Sequence, residues 1–585
     1  MPTIRIIIIV LFSIIAFVIS ILLLGPTNCT FGVGAACSSH TNSETPPIPA
    51  IPSTKYNFAI ILTDDQRYDT VQYMENTSSY FANAVNFTNA FASTPYCCPA
   101  RSSFLSGGMY PWEIHVMSNN LPNGGAGAFQ DSNTLASLLQ RSGYYTCMVG
   151  KYLNAYDVVA PHIFAGWSYF AETDIGGGNY TTYKITKGSS GPDAGSTGTL
   201  TSVTNGQFLT HYQRDEAINC LNNAKAAGKP WFLYLAFDAP HSPYYGAPED
   251  ANKFTNFNFT SPGTQETDLT DKPSWIQNQA NTTHFDEDSG NARQIYRDQL
   301  RSLQAADRDV NDVLTKIDTL GFLGNTMIVY TSDNGFMWGE HGGFIGKTRP
   351  YEESIRIPLL IKFPGMVGQK RTELVAWNLD VPATILQLVG SNRYTEGTSL
   401  VPLITNKPTI WRDHLILQEF GFDKPQIPGT WAMYRDSEWA YVEYISPSGK
   451  NRIKELYNIA ADPYELQNLA NDVSYDSKMA SFSTLIDQHR GISVTRSSLP
   501  SAKLGAPYSQ QINAWGVVQP ITCKLDSGEM PAGLTLGSDC LISGTPTSSR
   551  GYGINFEVTV TDSSSLPLSG NHQVYTTKYS ISLSP

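Results

Sequence analysis

The chain has 585 residues, with 39 basic and 51 acidic side chains and a formal net charge of −12 at pH 7. This length exceeds what a single hydrophobic core contains, so at least two domains are expected. The acidic balance argues against a surface that binds polyanions, and nucleic acid is therefore not an expected partner.

The N-terminal segment, residues 1–25, is predicted to be a membrane anchor. Residues 6–24 form an uncharged run that is apolar apart from two serines, which is enough helix to cross a bilayer. Arg5 precedes this run, which predicts a cytoplasmic N-terminus and places the rest of the chain in the lumen or outside the cell. The alternative is a cleaved signal peptide, although such peptides usually have a shorter apolar core.

Several N-x-Ser/Thr tripeptides agree with export, since this is the acceptor motif for N-glycosylation. Residues 26–54 are rich in Ser, Thr, Gly and Pro and are interpreted as a linker. These features predict a glycoprotein that is either secreted or anchored in the type II orientation. The tripeptides begin at Asn28, Asn76, Asn86, Asn179, Asn258 and Asn281.

Residues 55–405 are predicted to form an α/β domain. The runs "YNFAIILTDD", "PWFLYLAFDAPH" and "TMIVYTSDNG" are typical of buried parallel strands. Helical patterns lie between them, among them "LASLLQRSG" and a long amphipathic run that ends at Gly321. This alternation predicts a sheet that is covered by helices on both faces.

Polar side chains follow two of these strands. Asp64 and Asp65 come directly after the first strand, and Asp333 and Asn334 follow the third. Because the carboxyl ends of parallel strands meet at one edge of a sheet, the four side chains could bind one ligand together. Their oxygens suit a hard divalent cation, Ca²⁺ or Mg²⁺. The alternative is that both pairs are turn and capping sequences.

Two cysteines, Cys97 and Cys98, are adjacent, so a disulfide between them would need a strained ring. One alternative is that one of them pairs with Cys147 or Cys220. Another is that both are buried thiols that pack as small apolar groups. The third is that they belong to the pattern C-x-P-x-R, which "CCPAR" at residues 97–101 satisfies.

Six short sequence motifs occur in a defined order along the chain. "LTDDQ", "CCPARSSFLSG", "MVGKYLN", "APHSP", "TSDNG" and "GEHGGFIGKTRPYEESIRIPLLIKFPG" follow one another along the chain. On these motifs the chain resembles the sulfatase family over nearly all of residues 55–470, and most closely the branch of N-acetylglucosamine-6-sulfatases and arylsulfatases. The resemblance implies the alkaline-phosphatase-like fold, a mixed sheet flanked by helices. It also implies hydrolysis of sulfate monoesters, with a sulfated glycan, an amino sugar above all, or a small sulfate ester as substrate.

The resemblance also implies a modified residue and a metal. In this family the first cysteine of C-x-P-x-R is oxidised to formylglycine, so a formylglycine-generating enzyme is an implied partner of Cys97. Arg101 would orient the hydrated aldehyde, Lys151 and Lys347 would hold the sulfate oxygens, and His241 would protonate the leaving alcohol. The metal, Ca²⁺ with Mg²⁺ as the alternative, would be held by Asp64, Asp65, residue 97, Asp333 and Asn334.

The chemistry of sulfate esters gives a reason for the modification. A thiolate could attack sulfur, but the resulting S-sulfonate has no internal way to collapse. A hydrated aldehyde has a second hydroxyl, whose deprotonation regenerates the aldehyde and expels sulfate. Charge neutralisation and a proton for the leaving alkoxide are needed as well.

One position departs from the family pattern. Many sulfatases carry a histidine two residues after the first lysine, where this chain has Leu153, followed by Asn154. Asn154 can donate a hydrogen bond to the hydrate but cannot take its proton at neutral pH. His115 is the other candidate for the base.

The C-terminal part is predicted to form two further units. Residues 406–495 alternate as a small antiparallel sheet does and then turn helical, as in the C-terminal subdomain of sulfatases. Residues 500–585 predict a β-sandwich and resemble an immunoglobulin-like repeat. A disulfide between Cys523 and Cys540 is predicted, with two separate thiols as the alternative. Substrate selectivity is expected from residues 406–495 and from the Gly/Ser-rich loop at residues 173–202.

Two other functions fit parts of the sequence. The first is a phosphomonoesterase or phosphonate hydrolase of the same superfamily that works without formylglycine. The second is a non-catalytic glycan-binding or adhesion protein in which the β-sandwich is the functional part.

Overall fold

The structure is a computed structural model that describes residues 55–280, 292–366, 368–421, 430–445, 452–489, 493–494, 499–512, 514–515, 520–547, 554–562 and 574–584. The predicted anchor and linker lie outside these residues, as do the tripeptides at Asn28 and Asn281. Within the described ranges, no helix is both long enough and apolar enough to cross a membrane.

Most strands of the N-terminal part belong to one mixed sheet. Its order is β15-β2-β14-β11-β1-β10-β4-β6-β7-β9, and the strands from β11 to β6 are parallel. The three predicted strands are β1, β10 and β11, which are neighbours at the centre, so this prediction is confirmed. The strands are β1 Asn57–Thr63, β2 Val85–Phe87, β3 Ala90–Phe91, β4 Tyr145–Gly150, β5 His162–Ile163, β6 Tyr169–Asn179, β7 Thr182–Gly188, β8 Ser196–Thr197, β9 Thr199–Val203, β10 Trp231–Ala236, β11 Thr326–Ser332, β12 Met337–Gly339, β13 Phe344–Gly346, β14 Leu359–Lys362, β15 Gln369–Arg371 and β16 Val375–Ala376.

Helices cover both faces of this sheet, as predicted. Phe58 and Ile60 of β1 point into one core, and Ala59 and Ile61 point into the core on the other face. The long helix α6 packs on the second face and ends before Gly321, whose φ of 74° stops the helix. The helices are α1 Glu75–Tyr80, α2 Cys97–Leu105, α3 Leu135–Arg141, α4 Leu209–Ala227, α5 Ser274–Ala280, α6 Ala292–Thr319, α7 Glu340–Gly343, α8 Glu352–Ile355, α9 Trp377–Leu388, α10 Val401–Ile404 and α11 Asp476–His489.

The segment at residues 173–202, expected to be a loop, is largely sheet. Strands β6, β7 and β9 pair antiparallel along it and form one edge of the main sheet. Tyr183 and Ile185 of β7 are buried, whereas Lys184 between them is exposed. The loop interpretation was therefore wrong, because pairing with the sheet and burial of alternate residues outweigh the low strand propensity of glycine and serine.

A small antiparallel sheet follows, of strands β17 His414–Phe420, β18 Thr430–Asp436, β19 Trp439–Ile445 and β20 Arg452–Asn458. Helix α11 packs on one face of it through Met479, Phe482 and Ile486. The prediction of a small sheet followed by a helix is confirmed.

The C-terminal segment contains a four-stranded and a three-stranded sheet around a shared core, and its described residues also include the short pair β21-β24. The four-stranded sheet has the order β22-β29-β28-β25 and the three-stranded sheet β23-β27-β26. Cys523 and Cys540 form the predicted disulfide inside this core, with an S–S distance of 2.05 Å. The domain boundaries proposed from the sequence stay predictions. The strands are β21 Ser493–Val494, β22 Leu499–Lys503, β23 Tyr508–Gln511, β24 Ala514–Trp515, β25 Thr522–Gly528, β26 Leu534–Leu536, β27 Leu541–Gly544, β28 Ile554–Thr561 and β29 Val574–Ser584.

Candidate active site

The acidic side chains that follow β1 and β11 lie together, as expected from the sheet. The two strands are adjacent and parallel, with Thr63 opposite Ser332, so the residues after them start at the same edge. The main-chain N–H of Asp65 donates to Asp333 Oδ1 at 3.1 Å, and Asn334 Nδ2 donates to Asp65 Oδ1 at 2.7 Å. These side chains and Asp64 are buried.

Cys97 is the first residue of α2, and its side chain points into this group. Its Sγ lies 3.4 Å from Asp64 Oδ1 and 4.0 Å from Asp65 Oδ1. The sulfur and one oxygen each of Asp64, Asp65 and Asp333 all lie within 4.8 Å of one another. The structure therefore places residue 97 against the predicted metal ligands.

The donor set of this group fits a hard divalent cation. Three buried carboxylates converge, and Asn334 Oδ1 is buried without a hydrogen-bond partner. Buried polar atoms are nearly always paired, so an orphan oxygen beside three carboxylates points to a cation ligand. Oxygen ligands of this kind suit Ca²⁺ or Mg²⁺.

Arg101 binds the carboxylates and does not point freely toward Cys97. Its guanidinium is buried and donates to Asp333 Oδ2 at 2.8 Å, to Asp64 Oδ2 at 3.0 Å and to the carbonyl of Lys151 at 2.6 Å. All three bonds fix the positions of groups at the strand ends. Arg101 therefore orients two carboxylates of the cluster.

Two lysines reach the cluster from different loops. Lys347 Nζ donates to Cys97 Sγ at 2.7 Å and also contacts Asp65, while Lys151 Nζ contacts Asp64. Burial lowers the pKa of each lysine, but the adjacent aspartate outweighs this effect and raises the pKa above its usual value. Two permanent positive charges therefore flank residue 97.

His241 lies at the rim of the same group, with 29 % of its side chain exposed. Its Nε2 is 3.8 Å from Asp65 Oδ2, and its Nδ1 is 2.9 Å from the carbonyl of Ser242. Nδ1 is therefore turned toward this carbonyl, and Nε2 is the ring nitrogen that faces the cluster. Burial, with Lys151, lowers the pKa of His241.

The structure describes the partners of the other cysteines that the sequence analysis weighed beside Cys97. Cys147 and Cys220 are bonded to each other, so a disulfide from Cys97 or Cys98 to either of them was a wrong alternative. Cys98 is a buried free thiol whose main-chain N–H donates to Asn119 Oδ1 at 2.9 Å, and burial raises its pKa to about 12. Of the two adjacent cysteines, only Cys97 faces the polar cluster.

The structure explains the departure at residue 153. Leu153 is buried in the core on one face of the sheet, so this position serves packing. Asn154 has a buried Oδ1 without a hydrogen-bond partner, and its carbonyl accepts from the main-chain N–H of Ala126 at 2.8 Å. His115 is half-buried with a left-handed φ of 58°. Its role as a base stays a prediction.

One further carboxyl near the cluster was missed by the sequence analysis. Asp238 follows β10 two residues after its end, and it accepts from Gln213 Nε2 at 2.6 Å and from Thr173 Oγ1 at 3.1 Å. Burial raises its pKa to about 7, although Lys151 opposes the shift. Applying the rule of strand ends to "AFDAPH" would have identified it.

The chain matches known protein families and relatives along its sequence. The family model of the sulfatases matches residues 56–391, and models for the C-terminal part of N-sulphoglucosamine sulphohydrolase and for an Ig domain match residues 339–491 and 491–582. Human N-acetylglucosamine-6-sulfatase is 28 % identical over 466 residues, which cover 71 % of this chain and 81 % of that protein.

Two solved structures show the same fold. One, described as a complex with its substrate D-glucosamine-2-N,6-O-disulfate, has a TM-score of 0.61 at 22 % identity and covers 74 % of this chain and 97 % of its own. The other, a phosphonate monoester hydrolase of Agrobacterium radiobacter, has a TM-score of 0.57 at 18 % identity and covers 74 % and 95 %. At these identities the likeness shows the fold alone, which is alkaline-phosphatase-like with an additional Ig-like domain.

Proposed function

The chain belongs to the sulfatase family of sulfuric ester hydrolases, and from this premise we propose that it removes sulfate from sulfated amino sugars with a formylglycine at position 97. The observation that carries the proposal is the position of Cys97. It lies against three buried carboxylates and receives a hydrogen bond from the partly buried Lys347. A structural cysteine would not need two cations and a metal-type donor set around it.

Two groups that the chain would acquire supply part of the chemistry. The hydrate of a formylglycine would supply one hydroxyl for attack at sulfur and a second for the release of sulfate. A Ca²⁺ ion, with Mg²⁺ as the alternative, would supply positive charge next to residue 97. Its ligands would be Asp64, Asp65, Asp333 and Asn334.

The chain's own residues bind the ester and move the proton. Lys151 and Lys347 would hold the sulfate oxygens, because their ammonium groups reach the cluster beside residue 97, whereas Arg101 is engaged with the carboxylates. Arg101 keeps the carboxylates in place through its three hydrogen bonds. His241 would protonate the leaving alkoxide from Nε2 as the imidazolium, since Nδ1 lies against the carbonyl of Ser242 and the ring stands at the exposed rim of the cluster.

The substrate class rests on the relatives. The human relative is named for a 6-sulfate of N-acetylglucosamine, and it aligns over most of both chains. We therefore infer that the substrate is a glucosamine-type sugar with a sulfate on a primary or secondary hydroxyl.

A panel of saccharides tests this proposal. Purified protein from a host that makes formylglycine would be given 6-O-, 3-O- and 2-O-sulfated glucosamine saccharides. We expect sulfate release from the panel, with the highest kcat/KM for the 6-O ester. Mass spectrometry of the tryptic peptide that ends at Arg101 should show formylglycine at position 97. An active enzyme with an unmodified thiol there would contradict the mechanism.

A phosphonate hydrolase is the second candidate, because a phosphonate monoester hydrolase has the same fold. Comparing kcat/KM for matched sulfate, phosphate and phosphonate esters separates the two. A preference for phosphorus esters together with an unmodified Cys97 would favour this candidate. A purely binding role is disfavoured, because three carboxylates and Lys347 converge on Cys97.

We also propose a lumenal or extracellular location. Two disulfides, Cys147–Cys220 and Cys523–Cys540, support an oxidising compartment, which is also where a formylglycine-generating enzyme would act. Anchoring through residues 1–25 stays a prediction.

A further inference from the structure

A second group of potential metal ligands lies outside the catalytic cluster. It consists of His341, in the turn Glu340–Gly343, Glu353 at the start of α8, and Glu465, which follows β20. All three are buried. One ligand atom from each, an imidazole nitrogen and two carboxylate oxygens, lies within 4.8 Å of the other two.

These ligand atoms lack hydrogen-bond partners. His341 Nε2, Glu353 Oε2 and Glu465 Oε1 are each buried without one, and Nε2 lies 3.6 Å from Glu353 Oε2. Three unpaired polar atoms that face one another are costly, because each has lost its water. A bound cation would satisfy all three at once.

The surrounding groups orient these atoms as the outer shell of a metal site does. His341 Nδ1 lies 3.0 Å from Glu266 Oε2, and Glu465 Oε2 accepts from the main-chain N–H of Glu352 at 2.9 Å. A carboxylate that accepts from Nδ1 fixes the tautomer and directs the Nε2 lone pair inward. Tyr351 stacks on the imidazole with ring centroids 4.0 Å apart, which fixes the ring plane.

The positively charged side chains around this group are already paired with other carboxylates. Lys272 Nζ lies 3.1 Å from Glu266 Oε1 and donates to two main-chain carbonyls, so it already has partners. Arg67 pairs with Glu340, and Arg435 pairs with Glu352. Within the part of the chain that the structure describes, the imidazole of His341 and the carboxylates of Glu353 and Glu465 therefore converge without a lysine or arginine between them, and a divalent cation would complete this donor set.

We propose that His341, Glu353 and Glu465 bind a second metal ion, of the zinc type, with a structural role. Imidazole with carboxylates favours a borderline ion such as Zn²⁺, whereas the all-oxygen set beside Cys97 favours a hard one. His341 and Glu353 lie on either side of Lys347 in the sequence. The ion would link both of them to Glu465, in the segment after β20. The alternative is a metal-free cluster in which His341 is protonated and pairs with the glutamates.

Metal analysis of the purified full-length protein tests this proposal. The protein would be equilibrated with Zn²⁺ alone in a buffer of fixed free concentration, desalted, and assayed by atomic emission. We expect about one bound zinc per chain, and at least about tenfold weaker binding in Glu353→Gln and in Glu465→Gln. Glu266→Gln should weaken binding less, because it removes only the partner of Nδ1.

Matched variants locate the ion. Asp65→Asn alters the cluster around Cys97 and should keep its zinc. Glu443→Gln replaces a buried carboxylate of β19, outside the proposed site, and should keep it too. Wild-type protein that binds less than about a tenth of an equivalent would overturn the proposal, and this result needs no variant to fold. Equal zinc in wild type and in folded Glu353→Gln would overturn it as well.

Discussion

At the residue scale, the proposed chemistry depends on the difference between two adjacent cysteines, Cys97 and Cys98. Cys97 faces carboxylates and a lysine, whereas Cys98 packs in the apolar core on one face of the sheet. The helix that begins at Cys97 turns the two side chains about 100° apart, so one residue is polar-facing and its neighbour is not. The sequence alone left the roles of the two thiols open.

The first prediction concerns Cys97→Ser. Serine offers one hydroxyl, so it can attack sulfur slowly but has no second hydroxyl with which to expel sulfate. We expect at most one equivalent of alcohol from an activated sulfate ester and a stable sulfate on the tryptic peptide that ends at Arg101. Mass spectrometry of that peptide measures it. Cys98→Ser is the matched control and should keep turning over; loss of activity in both variants would count against the assignment.

The second prediction concerns Arg101→Lys. A lysine keeps the charge but cannot make the three hydrogen bonds that hold Asp64, Asp333 and the carbonyl of Lys151. We expect kcat/KM to fall about 10- to 100-fold, with weaker binding of Ca²⁺, as for other residues that orient metal ligands. Arg308→Lys, which alters a two-armed pair with Asp250 away from the site, should leave both values nearly unchanged. Equal losses in the two variants would point to a general effect on folding.

The third prediction concerns the pH dependence of stability through Glu113. Burial, with Glu396 nearby, raises the pKa of this half-buried carboxyl to about 7. Folding therefore favours its protonated form, and the stabilisation is complete below its unfolded pKa of about 4.3 and disappears as pH rises through about 7. The free energy of unfolding of the wild type should therefore fall between pH 4.5 and about 7.5. In Glu113→Gln we expect this fall to be smaller by about 1–3 kcal/mol. Urea unfolding across that range measures it, with the exposed Glu438→Gln as control; parallel profiles for wild type and Glu113→Gln would contradict the assignment.

At the element scale, the sequence predicts those strands and helices that have a clear hydrophobic pattern of their own. Strands β1, β10 and β11 are continuous apolar runs that only a buried position allows, and α6 has an apolar stripe at helical spacing with a glycine after its end. The edge strands β6, β7 and β9 could not be predicted in this way, because their glycines and serines become strand only through pairing with the sheet.

The candidate site shows the same division. The convergence of the polar side chains at the ends of β1 and β11 follows from parallel strands, since their positions depend on the sheet. The contact of Lys347 with Cys97 spans 250 positions of sequence and depends on how a distant loop folds back. The cluster of His341, Glu353 and Glu465 likewise joins separate segments, and no local pattern indicates it.

The fourth prediction concerns the disulfide of the C-terminal β-sandwich. Cys523 and Cys540 are 17 residues apart, and a loop of this length contributes roughly 3 kcal/mol by restricting the unfolded chain. We expect the double variant Cys523→Ala, Cys540→Ala to lose about that much stability in this unit, with kcat/KM unchanged. Hydrogen exchange of residues 499–584 measures the first effect. Unchanged protection of this segment would show that the bond adds little.

At the scale of the whole molecule, two of the glycosylation motifs, at Asn76 and Asn86, have different surroundings. Asn86, in β2, is exposed, so a glycan there would project into solvent. Asn76 is only partly exposed, and its Nδ2 and main-chain N–H both donate to Asp307 Oδ2, at 2.8 and 3.0 Å. Thr77, the residue between Asn76 and its serine, is buried, and its N–H donates to the same carboxylate. A glycan on Asn76 would therefore break the contact between α1 and α6.

The fifth prediction follows from this difference. Protein secreted from a glycosylating host should carry a glycan on Asn86. Asn86→Gln should change the electrophoretic mobility by the amount expected for the loss of one glycan. Asn76→Gln should leave the mobility unchanged, because that amide serves folding. Site-resolved mass spectrometry of the peptide that holds both asparagines, residues 68–101, distinguishes the two. A glycan on Asn76 with none on Asn86 would reverse the expected pattern, and unmodified protein throughout would contradict passage of the catalytic unit through the secretory pathway.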